Sequence, residues 1–338
     1  MDAERRLELL ATLNRAAFDG LALVEGPVFV IGHKSPDSDT VCSAIAYAAL
    51  LRELGFDAHG VVAGPLNRES AYILDAAGVA APSRLDDARG KNVVLVDHDE
   101  YSQAVDGMQG AHVVAVADHH NDGSVYTQGP LVYDARPFGS TATIVWEKYL
   151  ALDVALDASI ATVLLGGVLS DTKGLTSATT TPADLLACDE LSRLAGIDDV
   201  ASWYQSLYQA RISHEGMSDK EILALDYKEY EEAGTTFGVS SIEVYDEDEA
   251  IALARRMAAH LAAAKETSRM DFALASIFAS RDGSSFTYLI ADGVATQAVV
   301  QKAFGAEATF DGTSFVLRPH ASRKQVLVPR LRAALAQA

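Results

Sequence analysis

Leu7, Leu10, Leu13 and Phe18 recur at helical spacing and predict an amphipathic helix over residues 3–18. The first core strand follows only at Val28–Ile31. From there short apolar runs alternate with longer segments of helical period. Strands are expected at Val28-Phe29-Val30-Ile31, 58–63, Val93-Val94-Leu95-Val96 and Val113-Val114-Ala115-Val116-Ala117. Helices are expected over 41–54, with Ile45, Ala48 and Leu51 on one side, and over 68–77, 141–150, 159–169, 182–194 and 200–209. Near-continuous apolar strands alternating with helices predict a doubly wound parallel sheet, the α/β class.

A polar, glycine-containing stretch, Arg211 to Ser218, breaks this rhythm and is expected to be a linker. Beyond it the order becomes helix (219–225), strand (236–244), helix (248–267), strand (272–279), strand (285–291) and helix (296–304). Asp282-Gly283 is a hairpin signal between the last two strands. The expected organisation is an N-terminal helical extension (1–27), a first domain (28–210), a hinge linker (211–218) and a smaller α+β domain with a mixed sheet (219–338).

Composition narrows the function classes. With 49% hydrophobic residues the 338-residue chain can build large cores, and its apolar runs are too short for a membrane span. Its start, Met1-Asp2-Ala3-Glu4-Arg5-Arg6, lacks the basic-then-apolar order of a secretory signal, which predicts a cytoplasmic protein. Cys42 and Cys188 are too few for a disulfide scaffold and read as buried thiols. The formal charge of −20 disfavours nucleic acid or anionic membrane as partner. Against that balance, Arg318, Arg323, Lys324, Arg330 and Arg332 stand in an end segment without acidic residues. This is either a local anion site or a final helix with cations suited to its own C-terminus.

The chemistry lies where the apolar strands end. Val28–Ile31 runs into Gly32-His33-Lys34-Ser35-Pro36-Asp37-Ser38-Asp39-Thr40, Val93–Val96 into Asp97-His98-Asp99, and the next strand into Asp118-His119-His120. Open α/β sheets place ligands at the carboxyl ends of their strands. Histidine and aspartate without cysteine suit hard to borderline divalent metals such as Mn²⁺, Co²⁺ or Mg²⁺. Asp39 stands where it could cap the helix near Thr40, whereas Asp37 and His33 have no such role. Asp97 and Asp118 follow buried strands, where a carboxylate is costly unless paired or metal-bound. Asp171, after the run ending Val168-Leu169-Ser170, either joins them or caps the segment after Thr172. About seven such donors suit a pair of ions that share a carboxylate and clamp a phosphoryl group. Alternate side chains of an extended segment point apart, so His98 and Asp99 are expected to support rather than ligate. His120 reaches a substrate if the chain turns at Asn121. His59, His112, His214, His260 and His320 have no neighbouring partners and read as surface or core residues.

At these residues the chain resembles the manganese-dependent, family II inorganic pyrophosphatases of the DHH phosphoesterase superfamily. The resemblance rests on residues 32–44, Leu-Val-Asp-His-Asp-Glu (95–100) and Asp-His-His (118–120). It continues in Phe-Gly-Ser-Thr-Ala-Thr (138–143), Leu-Ser-Asp-Thr (169–172) and Ser-Arg-Lys-Gln-Val-Leu-Val-Pro (322–329). It implies a DHH and a DHHA2 domain with the active site in the cleft between them, and hydrolysis of pyrophosphate to two phosphates by a hydroxide bridging two Mn²⁺ or Co²⁺ ions. By position, His33 and Asp37 would hold one metal, Asp39, His119 and Asp171 the other, and Asp97 both. His120 would contact substrate or transfer a proton. Arg323 and Lys324 would bind the phosphates, with Arg211 or Lys220 as a further basic contact. Substrate would arrive with Mg²⁺, and the family suggests a homodimer through the first domain. The chain departs from the family in having one lysine before Gln325 where two are usual, and in Leu175-Thr176-Ser177-Ala178-Thr179, which lacks the family's lysine and proline.

Two rivals follow from other classes. One is a sibling exopolyphosphatase or an oligonucleotide or cyclic-dinucleotide phosphodiesterase. The exopolyphosphatase-like branch usually has Asn where His33 stands, and no stacking aromatics or Gly-rich motif flank residues 322–325. The other is a non-catalytic metal-binding module, against which all six expected ligands are present.

Overall fold

The computed structural model describes residues 3–18, 25–120, 123–127, 131–281 and 284–336. Asn121 and the Asp282-Gly283 turn lie outside the described residues. The chain divides into two compact units, residues 1–211 and 212–338. No helix of the described residues is long and apolar enough to cross a membrane.

The first unit is built on β1 (Val28–Ile31), β2 (Ala58–Val62), β3 (Ser83–Arg84), β4 (Asn92–Val96), β5 (His112–Asp118) and β6 (Val132–Ala135). All neighbours pair in parallel, in the order β3-β2-β1-β4-β5-β6. The order reverses between β1 and β4, the switch point beyond whose strand ends sheets of this kind place their ligands. Alternation sorts each strand between two cores. Val30, Val94, Val96, Ala115 and Ala117 face a cluster with α2 (Ser38–Glu53), α4 (Thr141–Ala151) and α5 (Ala158–Asp171). Ile31, Val93, Leu95 and Val116 face a second cluster closed by Ala88, Ala104, Val105 and Met108. The remaining helices are α1 (Ala3–Ala17), α3 (Arg68–Ala77), α6 (Pro182–Ala195) and α7 (Val200–Ile212). The helix α7 takes in Arg211 and Ile212, so the stretch expected to be linker is helical at its start.

The second unit carries a mixed sheet. Its elements are α8 (Asp219–Ala224), β7 (Tyr227–Glu232), β8 (Thr235–Glu243), α9 (Glu247–Ser268), β9 (Phe272–Arg281), β10 (Ser284–Ala291), α10 (Val294–Phe304), β11 (Thr309–Phe310), β12 (Phe315–Leu317) and α11 (Val328–Ala336). Strand order is β11-β12-β10-β9-β8-β7, with β8 and β9 parallel across the α9 crossover and the other neighbours antiparallel. Met257 and Leu261 of α9 cover one face, and Val300, Phe304, Leu327 and Leu331 the other. The edge strands β3, β6, β7 and β11, and the three-residue β12 beside β11, are not predicted by the apolar pattern. β7 reads Tyr-Lys-Glu-Tyr-Glu-Glu, an exposed polar edge with little hydrophobic signal.

Candidate metal centre

Three strand ends and one helix end meet at the switch point. The chain leaves β1 through Gly32, where a Cβ would lie 2.3 Å from Thr40 Cγ2, so only glycine lets α2 start this close to the sheet. His33 then sets Nε2 3.4 Å from Asp37 Oδ2 and 3.5 Å from Asp97 Oδ2. The capping role weighed as the alternative for Asp39, and expected to be absent at Asp37, belongs to Asp37: α2 starts at Ser38, and Asp37 Oδ1 accepts the Thr40 amide at 2.9 Å. Asp39 lies inside the first turn and is fully buried. Its oxygens accept the amides of Thr141 (2.6 Å) and Ala142 (2.9 Å), the unpaired donors that open α4. The helix terminus thereby offsets part of the cost of burying this carboxylate.

Asp97 is the hub. It follows β4 with φ 63°, a left-handed conformation that aspartate tolerates better than most side chains, and it is 1% exposed. Thr40 Oγ1 donates to Oδ2 at 2.5 Å and Thr141 Oγ1 to Oδ1 at 3.1 Å. His119 Nδ1 faces the Phe138 carbonyl at 3.1 Å, which turns Nε2 toward Asp97 Oδ1 (3.4 Å) and Asp171 Oδ2 (3.2 Å). This Nε2 is buried and, although at ion-pair distance, has no aligned hydrogen-bond partner. Asp171 ends α5 and caps no helix, since Thr181 caps α6.

The electrostatics of the cluster suit a divalent cation. Burial alone would lower the histidine pKa values, but the carboxylates outweigh it. Asp37 and Asp97 raise His33 to about 10, and Asp171 and Asp97 raise His119 to about 12. Burial raises Asp39 and Asp171, and Asp97 beside them adds to the shift. Burial opposes ionisation of Asp97, yet His119, His33 and Thr40 hold it below the usual carboxylate range. Ligand atoms gather within 4.8 Å of one another in three overlapping sets: His33, Asp37 and Asp97; Asp39, His119 and Asp171; Asp97, His119 and His120. A nitrogen and oxygen donor set with a buried imidazole nitrogen that faces two carboxylates without an aligned hydrogen bond fits a divalent metal.

The flanking residues sort by what they touch. His120 is 57% exposed, with its ring Nδ1 2.9 Å and its amide 3.1 Å from Asp118 Oδ1. That contact raises its pKa. His98 and Asp99 turn away, to the Val96 carbonyl (3.1 Å) and the Tyr133 hydroxyl (2.6 Å). His214 and His260 pair with Glu249 and Asp219, and none of the five lone histidines enters a metal set among the described residues. Arg211 lies in the last turn of α7 with its guanidinium 4.9 Å from the Tyr208 ring centre. Lys220 is exposed on α8, and Lys324 is exposed in a π-turn over Arg323–Leu327. Arg323 is engaged within its own unit by Asp226.

The sequence reading missed Glu69, Thr40 and Thr141. Glu69 lies in the first turn of α3, where an acidic residue looks ordinary. Its Oε2 accepts from Ser38 (2.9 Å) and Ser170 (2.8 Å), neighbours of metal-set residues on two elements. The threonines stand inside motifs already singled out, and only the fold shows that both donate to Asp97.

Residues 27–168 match the N-terminal domain of the DHH family, and residues 205–334 the DHHA2 domain. The chain is 34% identical over 332 residues to a probable manganese-dependent inorganic pyrophosphatase of Archaeoglobus fulgidus, covering 93% of this chain and 100% of that one. It is 32% identical to the manganese-dependent inorganic pyrophosphatase of Methanothrix thermoacetophila, over 91% of this chain and 98% of that one. Among solved structures it is similar to a Methanococcus jannaschii protein assigned as a family II inorganic pyrophosphatase, at 30% identity and TM-score 0.57, covering 91% and 99%. An exopolyphosphatase-related protein from Bacteroides fragilis shares the fold at 13% identity and TM-score 0.50.

Proposed function

This chain belongs to the manganese-dependent inorganic pyrophosphatases, with DHH and DHHA2 domains, and on that footing we propose that it hydrolyses pyrophosphate to two phosphates. The observation that carries the reading is the convergence of His33, Asp37, Asp39, Asp97, His119 and Asp171 in overlapping metal-competent sets.

In this reading His33 and Asp37 hold one ion, Asp39, His119 and Asp171 a second, and Asp97 serves both. The pair, manganese or cobalt, would when bound polarise phosphoryl oxygens and lower the pKa of bound water. The chain's own residues do the rest. Thr40 and Thr141 fix the Asp97 carboxylate, and the α4 amides fix Asp39, so the ligands are set before substrate binds. Asp118 holds the Nδ1 side of His120, which leaves Nε2 to give a proton to the departing phosphate. Arg323 and Lys324, with Arg211 or Lys220, neutralise charge that develops on the phosphoryl oxygens. The proposal extends to a substrate that carries Mg²⁺ and to a cytoplasmic homodimer formed through the first domain.

The test is phosphate release from pyrophosphate, tripolyphosphate and a dinucleotide by the manganese-loaded protein. Fastest turnover on pyrophosphate is expected. Faster turnover on a longer or nucleotide substrate would overturn the reading in favour of a sibling phosphoesterase.

A further inference from the structure

Arg323, which the proposed function assigns to phosphate, already holds an anion. Its Nη2 donates to both Asp226 oxygens, at 2.7 and 2.6 Å. Its Nη1 donates to two backbone carbonyls, those of Asp226 and of Val239, the latter at 3.3 Å. The Arg323 side chain is only 10% exposed, whereas the Asp226 side chain is 49% exposed. The carboxylate therefore lies on the solvent side and covers the guanidinium. Lys228 Nζ stands 3.9 Å from the same carboxylate.

We propose that Asp226 is a positioning residue: an internal anion that seats Arg323 when no phosphate is bound and is exchanged for phosphate oxygens on binding. The inference rests on the reading that Arg323 binds the phosphates of pyrophosphate. Three observations carry it.

First, the two halves of the guanidinium are held differently. Nη1 is tied to backbone carbonyls, which stay in place. Nη2 is tied to a side-chain carboxylate, which can rotate. Nη2 can donate to two phosphate oxygens as it does to the two carboxylate oxygens, so an arriving phosphate takes the seat of Asp226 without moving the anchored half. Second, the exposed partner is the anion. Asp226 can swing into water, where a carboxylate costs little, while the arginine stays shielded. Third, Lys228 remains as a counterion for Asp226 after the exchange, so release does not strand the charge.

The exchange makes Asp226 a competitor of every anion at Arg323. It weakens binding of product phosphate as well as of substrate, and it recaptures the guanidinium as phosphate leaves. Neutralising it should tighten both.

The experiment compares wild type, Asp226→Asn, Arg323→Ala and the double variant in the manganese-loaded full-length protein, each checked for the wild-type melting temperature. The readouts are KM for pyrophosphate, kcat, and the inhibition constant of inorganic phosphate. Asp226→Asn is expected to lower KM and the phosphate inhibition constant together by about two- to fivefold, the worth of a partly exposed ion pair, with no rise in kcat. In the Arg323→Ala background the same change should have no effect, because the competition acts through that guanidinium. A raised KM in Asp226→Asn would overturn the proposal, since Asp226 would then only orient Arg323. An unchanged KM would overturn it, and so would an equal shift in both backgrounds, which marks a general charge effect. Arg323→Ala separates the two levels. If it alone leaves KM and phosphate inhibition unchanged, the phosphate role of Arg323 fails. If it raises both while Asp226→Asn changes neither, only the exchange fails.

Discussion

Replacing Glu69 by alanine tests how the metal loops are held. Glu69 is 2% exposed, and its Oε2 accepts from Ser38, which separates Asp37 from Asp39, and from Ser170, which precedes Asp171. One carboxylate thus ties residues assigned to both ions. The substitution removes two hydrogen bonds worth about 1 kcal/mol each. Ser38 keeps a contact with Ser70 at 3.2 Å, while Ser170 loses its partner among the described residues. Removal of a desolvated carboxyl offsets part of this, so a net loss of about 1–2 kcal/mol in stability is expected. The larger effect falls on the metal. Loss of an outer support for ligands costs about 10–100-fold in affinity, or about 1.4–2.7 kcal/mol. Calorimetric titration of Mn²⁺ into the metal-free protein measures it directly. Glu69→Gln keeps an oxygen acceptor for both serines and should bind Mn²⁺ within about threefold of wild type. Burial raises the pKa of Glu69, ahead of the opposing pull of Ser170, Arg211 and Ser38. A raised carboxyl contributes stability below its unfolded pKa and loses it as pH rises through the folded value. The uncharged glutamine variant should therefore gain on wild type as pH rises above the ordinary glutamate pKa in the absence of metal. Wild-type Mn²⁺ affinity in Glu69→Ala would refute the bracing role.

Three further outcomes follow from the same geometry. His33 and His119 are held protonated to about 10 and about 12 by their carboxylates, and a ligand imidazole must be neutral, so Mn²⁺ binding near pH 8 should expel a proton from each and tighten as pH rises; calorimetry in two buffers of different ionisation enthalpy reads this, and a buffer-independent heat would contradict it. Asp118→Asn removes the contact that raises the pKa of His120, so kcat should fall about tenfold or more and the alkaline limb of the pH–rate profile should move to lower pH; an unmoved limb would remove His120 from proton transfer. Gly32→Ala forces a methyl group against Thr40, the residue that holds Asp97, and should cost about 1–3 kcal/mol in thermal unfolding together with weaker metal binding; a wild-type melting temperature would show that α2 yields there.

What was legible in the sequence was whatever a strand carries in its own neighbourhood. Val28–Ile31, Val93–Val96 and Val113–Ala117 announce themselves by apolar runs, and the His and Asp that follow are placed by the chain itself. Contacts that join distant segments were not legible. Asp39, expected as a ligand, could also have been a cap because it stands near Thr40. Its true partners are amides of α4, about a hundred residues away, and the cap passes to Asp37. Glu69 looked like an ordinary first-turn acid, since nothing near it in sequence signals Ser38 or Ser170. Arg323 and Asp226 are 97 residues apart, and a cation count cannot show that the arginine is already occupied. Short polar edge strands such as β7 were missed because an exposed edge needs no apolar run.

The central claim is a pair of ions sharing Asp97, and its most direct test is stoichiometric. Metal-free protein is titrated with Mn²⁺ while bound metal and phosphate release from pyrophosphate are followed together. Activity should appear as occupancy approaches about two ions per chain, and Asp97→Asn should lose it about 10²–10³-fold. Full activity at about one ion per chain, or intact hydrolysis by Asp97→Asn, would contradict the account.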